Sequence, residues 1–514
     1  SPLNTDSLSS SSGGDEVELI LKELAQLCLE KCFPAQSNGS LPCLRDEAFS
    51  DLQETLVNEL RIICYKPFVD YFAGLVKVPS QIGNVKSCLA IDNYEQDAHI
   101  WPQTHLMKLF QLQPVLLRLI AVIVREWMSV TATLMKRIHE DKLLLQNRFS
   151  VTFDTAQVLR VFSISQTIKI LEYSNNKKII YALQNCNLTQ RIFDLLEQLN
   201  HYAPPIDLKY SNIIFCTDYY WLEVTEGTVS LDDSENAQLY ERLGAWMALF
   251  YVLAGSHFDD AEFLSVGEYP LPLEIQCLFQ SDTIDQGSAS SPHDEPSQAP
   301  EGVNNAIGQI SSLPLTLFRT DETFSKLEQH FDYLLDGFKK YLIFVMVCRD
   351  KVGLNGLLER FENQSVRVQY RPNKFYRLLL ARMKKTSAFS DGVLWSVQSD
   401  FLARFYDVPS ALKSKWTDLR FERQALLNLQ IPFLTERVEE IAALEHTEKR
   451  NIEPLVTMLD ASRANLSNAQ QRLKRLAKSS IDEDVLLLRS VLWPSVIYNK
   501  SLKSGKLIPH GVSS

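Results

Sequence analysis

Between residues 16 and 145 apolar residues recur at i, i+3, i+4 spacing in three long runs, VELILKELAQLCLEKC, FSDLQETLVNELRIICYKPFVDYFAGL and LFQLQPVLLRLIAVIVREWMSVTATLMKRIHEDKLLL. One apolar face per turn is what a helix needs to bury itself against a neighbour, so a helical subdomain is predicted over 16–148. From residue 150 the period drops to two and β-branched residues take over. SVTFDTAQVLRVFSIS, TIKILEYS and KKIIYALQ read as strands, with Asn175-Asn176 as a hairpin turn. NLTQRIFDLLEQLNHYA follows as a helix with Asn187 as its N-cap, and SNIIFCTDYYWLEVTEG as one or two further strands. Together these predict a β-rich small lobe over 149–228.

The pattern then turns mainly helical, giving a predicted large lobe over 229–410. An apolar helix, Leu243 to Leu253, ends at Ala254-Gly255, and a loop carrying His257, Asp259, Asp260 and Glu262 follows. A short apolar strand is predicted next, with Glu274 at its centre, so an acid-rich turn lies between two buried elements. Residues 281–313 are rich in Ser, Pro, Gly and acids and poor in aromatics, the composition of a disordered loop. Beyond it TFSKLEQHFDYLLDGFKKYLIFVMVCRDKV reads as one long helix, and VRVQYRPNKFYRLLLARM as a strand running into a helix. A C-terminal helical subdomain is predicted over 411–514: Leu412 to Leu444 helical apart from a break at Pro432, then an amphipathic pair over about 453–493. Residues 1–15, SPLNTDSLSSSSGGD, read as a disordered tail without the basic and apolar regions of a secretory signal.

Composition narrows the class. The chain has 514 residues, 45% of them hydrophobic and 22% charged, enough to bury several cores. A net charge of −11 counts against nucleic acid as a partner, because a duplex-binding face must be basic. Nine scattered cysteines without a CxxC pair read as reduced, buried thiols of a cytoplasmic protein, with Cys28 and Cys32 one helical turn apart. No run reaches the roughly 18 apolar residues of a membrane span, since Pro114 to Val124 already contains Arg118, and no membrane role is expected.

One local bias stands out. Between Glu362 and Asp391 there are seven bases and no acid: Arg367, Arg371, Lys374, Arg377, Arg382, Lys384 and Lys385. In an acidic chain this reads as an anion site, and Arg offers a two-pronged donor to phosphate. Arg367 and Arg371, four apart on a strand, share a face. The alternative is a solvated helix face for Arg377 to Lys385. The loop acids Asp259, Asp260 and Glu262 likewise read either as caps facing water or as a metal or peptide site, and His257 lacks an identifiable orienting partner.

Four blocks then point to a family: WPQTHLMKLF with EWMSVTATLMKRIHEDKLLL, the helix–loop–strand over 243–279, RVQYRPNKFYRLLLARM, and FERQALLNLQIPFLTER with NAQQRLKRLAKSSIDEDVLLLRSVLW. In order and spacing they resemble the dehydratase half of the class II lanthipeptide synthetases over about residues 16–493. Those enzymes phosphorylate Ser and Thr of a ribosomal precursor peptide and then eliminate phosphate. The resemblance implies an α+β, kinase-like two-lobed core with added helical subdomains, ATP and Mg²⁺ as cofactors if active, and no counterpart of the zinc-bearing cyclase half.

Carried over position by position, the resemblance shows a substituted site. The family's phosphate-holding lysine strand, Y-K-P, matches Tyr181-Ala182-Leu183, and its upstream D-x-H falls where the chain reads FSISQT, Phe162 to Thr167. Its D-x-H-x-x-N matches His257, Asp259 and Glu262, and its metal-binding Asp matches Glu274. Glu262 and Glu274 remain candidate metal ligands, and Asp259, Asp260 or His257 candidate groups to orient or deprotonate a hydroxyl. The phosphate-binding Arg matches Arg367, and a family Thr matches Asn373. Lys178, Arg371 and Lys374 are candidate cofactor-binding cations.

Three functions follow. One is a divergent dehydratase that phosphorylates or eliminates on a precursor peptide. The second is an inactive homologue that binds the peptide or partners an active synthetase. The third is a nucleotide-dependent transferase repurposed for a protein target.

Overall fold

The computed structural model describes residues 12–32, 44–76, 100–149, 158–165, 167–173, 177–184, 186–209, 212–224, 232–255, 263–266, 268–273, 275, 278–279, 317–318, 323–368, 373–400, 402, 412–437 and 466–503. The protein is mixed α+β and mostly helical, with a small antiparallel sheet component. In chain order it begins with helices α1 (Ser12–Cys32), α2 (Asp46–Val76), α3 (Ile100–Leu112), α4 (Pro114–Glu140) and α5 (Lys142–Phe149). Strands β1 (Val158–Ser163), β2 (Ile168–Tyr173) and β3 (Lys178–Leu183) follow, then α6 (Cys186–Asn200), β4 (Ile213–Phe215), β5 (Tyr219–Val224) and α7 (Asp233–Val252). Next come β6 (Phe263–Val266), β7 (Tyr269–Pro272), β8 (Leu317–Phe318), α8 (Thr323–Val352), α9 (Leu354–Leu358), β9 (Ser365–Val368), α10 (Asn373–Met383) and α11 (Gly392–Val397). The chain closes with α12 (Leu412–Leu427), β10 (Leu434–Arg437), α13 (Leu466–Arg475) and α14 (Lys478–Lys503).

These elements form two compact units, Ser1–Asn176 with Arg377–Ile431, and Lys177–Tyr376 with Pro432–Ser514. In the first, α4 buries Val115, Leu119, Ile123, Trp127, Leu134 and Ile138 along one stripe, as its period demands. The hairpin β1–β2 is antiparallel, and Asp51 of α2 holds it by accepting from the Arg160 guanidinium at 2.7 Å and the Val161 amide at 2.9 Å. Trp395 of α11 is buried, donates its indole N–H to the Met383 carbonyl and lies under the Arg118 guanidinium. Among the described residues no single helix is long and apolar enough to cross a membrane.

In the second unit β3, β5 and β4 pair antiparallel in that order. Helix α7 starts at a capping box in which Asp232 accepts from the Glu235 amide and Glu235 accepts from the Asp232 amide. Its tightest packing is against α8, where both helices carry a glycine. A Cβ on Gly244 would lie 2.0 Å from the Leu334 carbonyl oxygen, and one on Gly337 2.0 Å from that of Glu241. The helices therefore touch backbone to backbone, and Trp246, Phe250 and Phe263 fill the space beside them, all fully buried.

Four expectations are corrected. Helix α1 begins at Ser12, inside the stretch read as tail, and α6 begins at Cys186, so Asn187 is inside the helix and not its cap. After Pro432 the chain forms β10, not helix, because Leu434–Arg437 finds a ladder partner in β9, with Thr435 opposite Arg367. The closing pair is Leu466–Arg475 and Lys478–Lys503, the second helix running past residue 493. The Asn175-Asn176 turn and the 281–313 loop lie outside the described residues.

A Gly337→Ala substitution tests the seam between α7 and α8. The added methyl group must push two backbones apart, so the expected loss is about 1–3 kcal/mol, read as a lower Tm by calorimetry, while Gly353→Ala, with nothing near its Cβ position, should lose only the cost of its positive φ.

Candidate functional site

The segment between α7 and Phe279 is built on a rigid foot. Helix α7 ends with Ala254 at φ 50°, a left-handed turn that reverses the chain, and the Gly255 amide donates to the Phe250 carbonyl at 2.8 Å. The far end returns to the same place, since the Phe279 amide donates to the Leu253 carbonyl at 2.9 Å. In between, β6 and β7 pair antiparallel and β8 adds to β6 in parallel. The Leu273 carbonyl accepts from Gln184 at 2.9 Å and from the Tyr220 hydroxyl at 3.0 Å, which ties the segment to the end of β3 and to β5.

Helix α13 clamps both ends of this segment. Asn468 donates to the Phe279 carbonyl at 3.0 Å, and Arg472 donates to the Tyr251 carbonyl at 2.5 Å with its guanidinium over the Tyr251 ring. The Tyr251 hydroxyl in turn donates to Asp484 of α14 at 3.1 Å. Burial pushes the Asp484 carboxyl up to about 6, against the lowering effect of the Tyr251 hydrogen bond and the Arg472 charge. None of these three residues stands out in the sequence, because their pairing spans more than two hundred positions.

The predicted acid cluster itself cannot be placed: His257, Asp259, Asp260, Glu262 and Glu274 lie outside the described residues, as does Arg371. The strand assigned to Glu274 ends earlier, at Pro272. Among the described residues no group of three or more His, Cys, Asp or Glu side chains is arranged to hold a metal. Ala182 lies on β3 opposite Tyr220 and is fully buried, while Lys178 opens the same strand exposed and Lys177 is paired with Glu223 at 3.0 Å. Asn373 and Lys374 open α10, and nothing is described of their side chains.

Arg367 is placed half-buried on β9 with its guanidinium 4.4 Å from the Phe433 ring centre. Its strand follows Phe361, whose ring meets Phe279 at 5.1 Å, so β9 and the end of the acid-bearing segment belong to one packed region. The rest of the basic stretch divides. From Arg377 onward it belongs to the other unit, where Arg377, Arg382 and Lys385 are exposed and the Lys384 ammonium is lowered by burial, with Glu59 opposing.

The β1–β2 hairpin carries a buried cation on β2. Lys169 is 4% exposed, and its ammonium donates to the Ser163 hydroxyl at 2.8 Å and the Ser165 carbonyl at 3.0 Å. Burial lowers it to about 8 despite Glu59. It faces α2 and α4, sharing a small, water-sized space with Glu59, Glu126 and Thr131.

A mostly helical α+β protein with a strand-tied acidic segment and an arginine-bearing edge ladder is the class these features define. The chain belongs to DUF4135, a domain of unknown function whose profile matches residues 113–326 and 317–437, and which is associated with lanthipeptide synthetase-like proteins. No curated protein sequence matches the chain.

The Asp484 carboxyl gives a test of the clamp. Its folded-state pKa is raised above the ordinary value of 3.8, so the fold binds this proton more tightly than the unfolded chain and loses stability as pH rises from about 4 through 6. Asp484→Asn should therefore melt above wild type at pH 8, and the two should converge at pH 4 to 5 by differential scanning fluorimetry. A constant offset across that range would refute the assignment.

Proposed function

We propose that this protein is a lanthipeptide dehydratase-like protein that acts on or binds a ribosomal precursor peptide, with its phosphate-handling side centred on Arg367. The observation that carries the reading is the position of Arg367 on β9, in the region that Phe361 and Phe279 tie to the acid-bearing segment, and just before the N-terminus of α10. A guanidinium grips two phosphate oxygens at once, and a helix N-terminus adds unpaired N–H donors of the same preference. In β-elimination from phosphoserine, the Cα proton passes to a base, its electron pair forms the Cα=Cβ bond, and the Cβ–O bond breaks with its electrons leaving on phosphate. Negative charge grows on the phosphate oxygens during that step, and Arg367 is the group that meets it, with Asn373, Arg371 and Lys374 beside it in sequence.

The kinase-like core belongs to the same reading, with β3, β5 and β4 standing for the small lobe's sheet and α7 with α8 for the large lobe. Cys28, Cys64, Cys186, Cys216 and Cys348 are free thiols.

The nucleotide side fits poorly. Holding ATP phosphates needs a cation at the strand position occupied by Ala182, which is fully buried opposite Tyr220. This observation favours, as second reading, a protein that receives an already phosphorylated peptide, or binds the peptide alongside an active synthetase.

A synthetic phosphoserine peptide separates the readings. The expected result is loss of phosphoric acid, seen by mass, slowed about 10²- to 10³-fold in Arg367→Ala, the usual cost of removing one charge-stabilising donor. Equal inertness of both proteins removes elimination and leaves peptide binding alone. Separately, millimolar ATP with Mg²⁺ should leave the Tm unchanged; a rise would mean that a nucleotide binds the folded state and that the Ala182 argument fails.

A further inference from the structure

On α7 and α8, on the N-terminal side of the Gly244–Gly337 contact in both sequences, lies an open groove of about 540 Å³. Its walls include Asp233, Gln238 and Glu241 of α7, and Gln329, His330 and Tyr333 of α8. Gln238 and Glu241, three residues apart, share one side of α7, and Asp233 lines the groove nearer the start of the helix.

His330 is the unusual member. It is 7% exposed, and neither ring nitrogen has a hydrogen-bond partner among the described residues. Its ring is stacked on Tyr240 at 5.6 Å and covered by Tyr333, a half-exposed tyrosine at 5.9 Å. An imidazole always carries a nitrogen that can accept when neutral, and leaving it buried without a donor is costly, so the pocket is short of one donor.

Of the residues lining the groove, Asp233 and Glu241 are acidic and none is Lys or Arg, while Arg242 reaches Gln238 at 3.4 Å and Asp332 is paired with Arg489 at 3.7 Å. The fold already answers part of this with an ammonium: Lys340 meets Glu241 at 2.7 Å and Asp336 at 2.6 Å. Asp233 makes no such ion pair among the described residues and remains exposed on the groove wall.

We infer that this groove docks an arginine or lysine side chain of a peptide, with Asp233 taking the charge, His330 accepting one of its N–H groups and Tyr333 turning to lie against the cation. A donor that is also a cation satisfies both deficits at once, an orphaned acceptor and an unbalanced carboxylate. The exposed tyrosine face adds a cation–π contact. A metal ion is the poorer occupant, because no three ligating groups among the described residues are arranged for one. This inference is independent of how Arg367 acts, since it concerns residues of other elements and a ligand of opposite charge.

Titration calorimetry of the full chain with an acetylated pentaarginine amide tests it, with pentaglutamate as the control peptide. The arginine peptide should bind and the glutamate peptide should not. Asp233→Asn, at an exposed position, and His330→Phe, which keeps the ring stack but removes both nitrogens, should each weaken binding about tenfold. Glu197→Gln, an exposed acid on α6, should leave it unchanged. Absence of binding overturns the proposal. So does equal weakening by all three substitutions, which would show diffuse attraction of a cation to an acidic surface.

Discussion

Two glycines set the spacing on which the larger unit depends. With hydrogen atoms in place of side chains at Gly244 and Gly337, α7 and α8 approach until the backbone of one meets the space of the other's missing Cβ. No other residue pair permits that distance, because any Cβ would collide with a carbonyl oxygen that cannot move without breaking its helix. The approach makes α7 a rigid rod. Its C-terminal end can then launch an irregular segment from a fixed point, and its N-terminal half can hold the groove on the same two helices.

An irregular segment needs its backbone polar groups satisfied from outside, and here side chains from remote sequence do it. Arg472 takes the Tyr251 carbonyl, Asn468 that of Phe279, and Gln184 with Tyr220 that of Leu273. Each of these acceptors sits at or beside buried residues, where an unmet carbonyl costs about 1–3 kcal/mol. The stretch from Tyr251 to Phe279 is thus held at its two ends by α13 and at Leu273 by Gln184 and Tyr220. Such pinning is what a binding or reacting loop requires, and it is also what a purely structural crossover requires. The chemistry of the side chains, not the scaffold, distinguishes the two.

Sequence pattern was most informative where the period is long and uninterrupted. The run from Thr323 to Val352 reads as one helix and is one, and the three alternating runs from residue 150 contain β1, β2 and β3. It failed where the deciding partner is remote. LTER after Pro432 has no strand signal of its own, being four residues with two charges, and becomes a strand only because β9, some seventy residues earlier, offers a ladder. The Ser-Gly-Gly-Asp start of α1 reads as coil by propensity, and packing of α1 on α2, with Glu18 paired to Arg61, overrides it. Lys169 and Asp484 were invisible for the same reason: a charged residue announces burial only once its surroundings are known.

The basic stretch after Glu362 is not uniform in its surroundings. Read along the chain it is one anion site of seven cations, yet the fold divides it between Tyr376 and Arg377. Exposed cations such as Arg377, Arg382 and Lys385 are screened by water and salt and hold a phosphate only weakly, and Lys384 is drawn towards Glu59. Arg367 differs in kind. It is half-buried, its guanidinium lies 4.4 Å from the Phe433 ring centre, and its strand is paired, so less side-chain freedom is lost when an anion binds. On the reading proposed above, phosphate handling therefore narrows from the seven-base stretch to Arg367, which sits on a paired strand with its guanidinium against an aromatic ring.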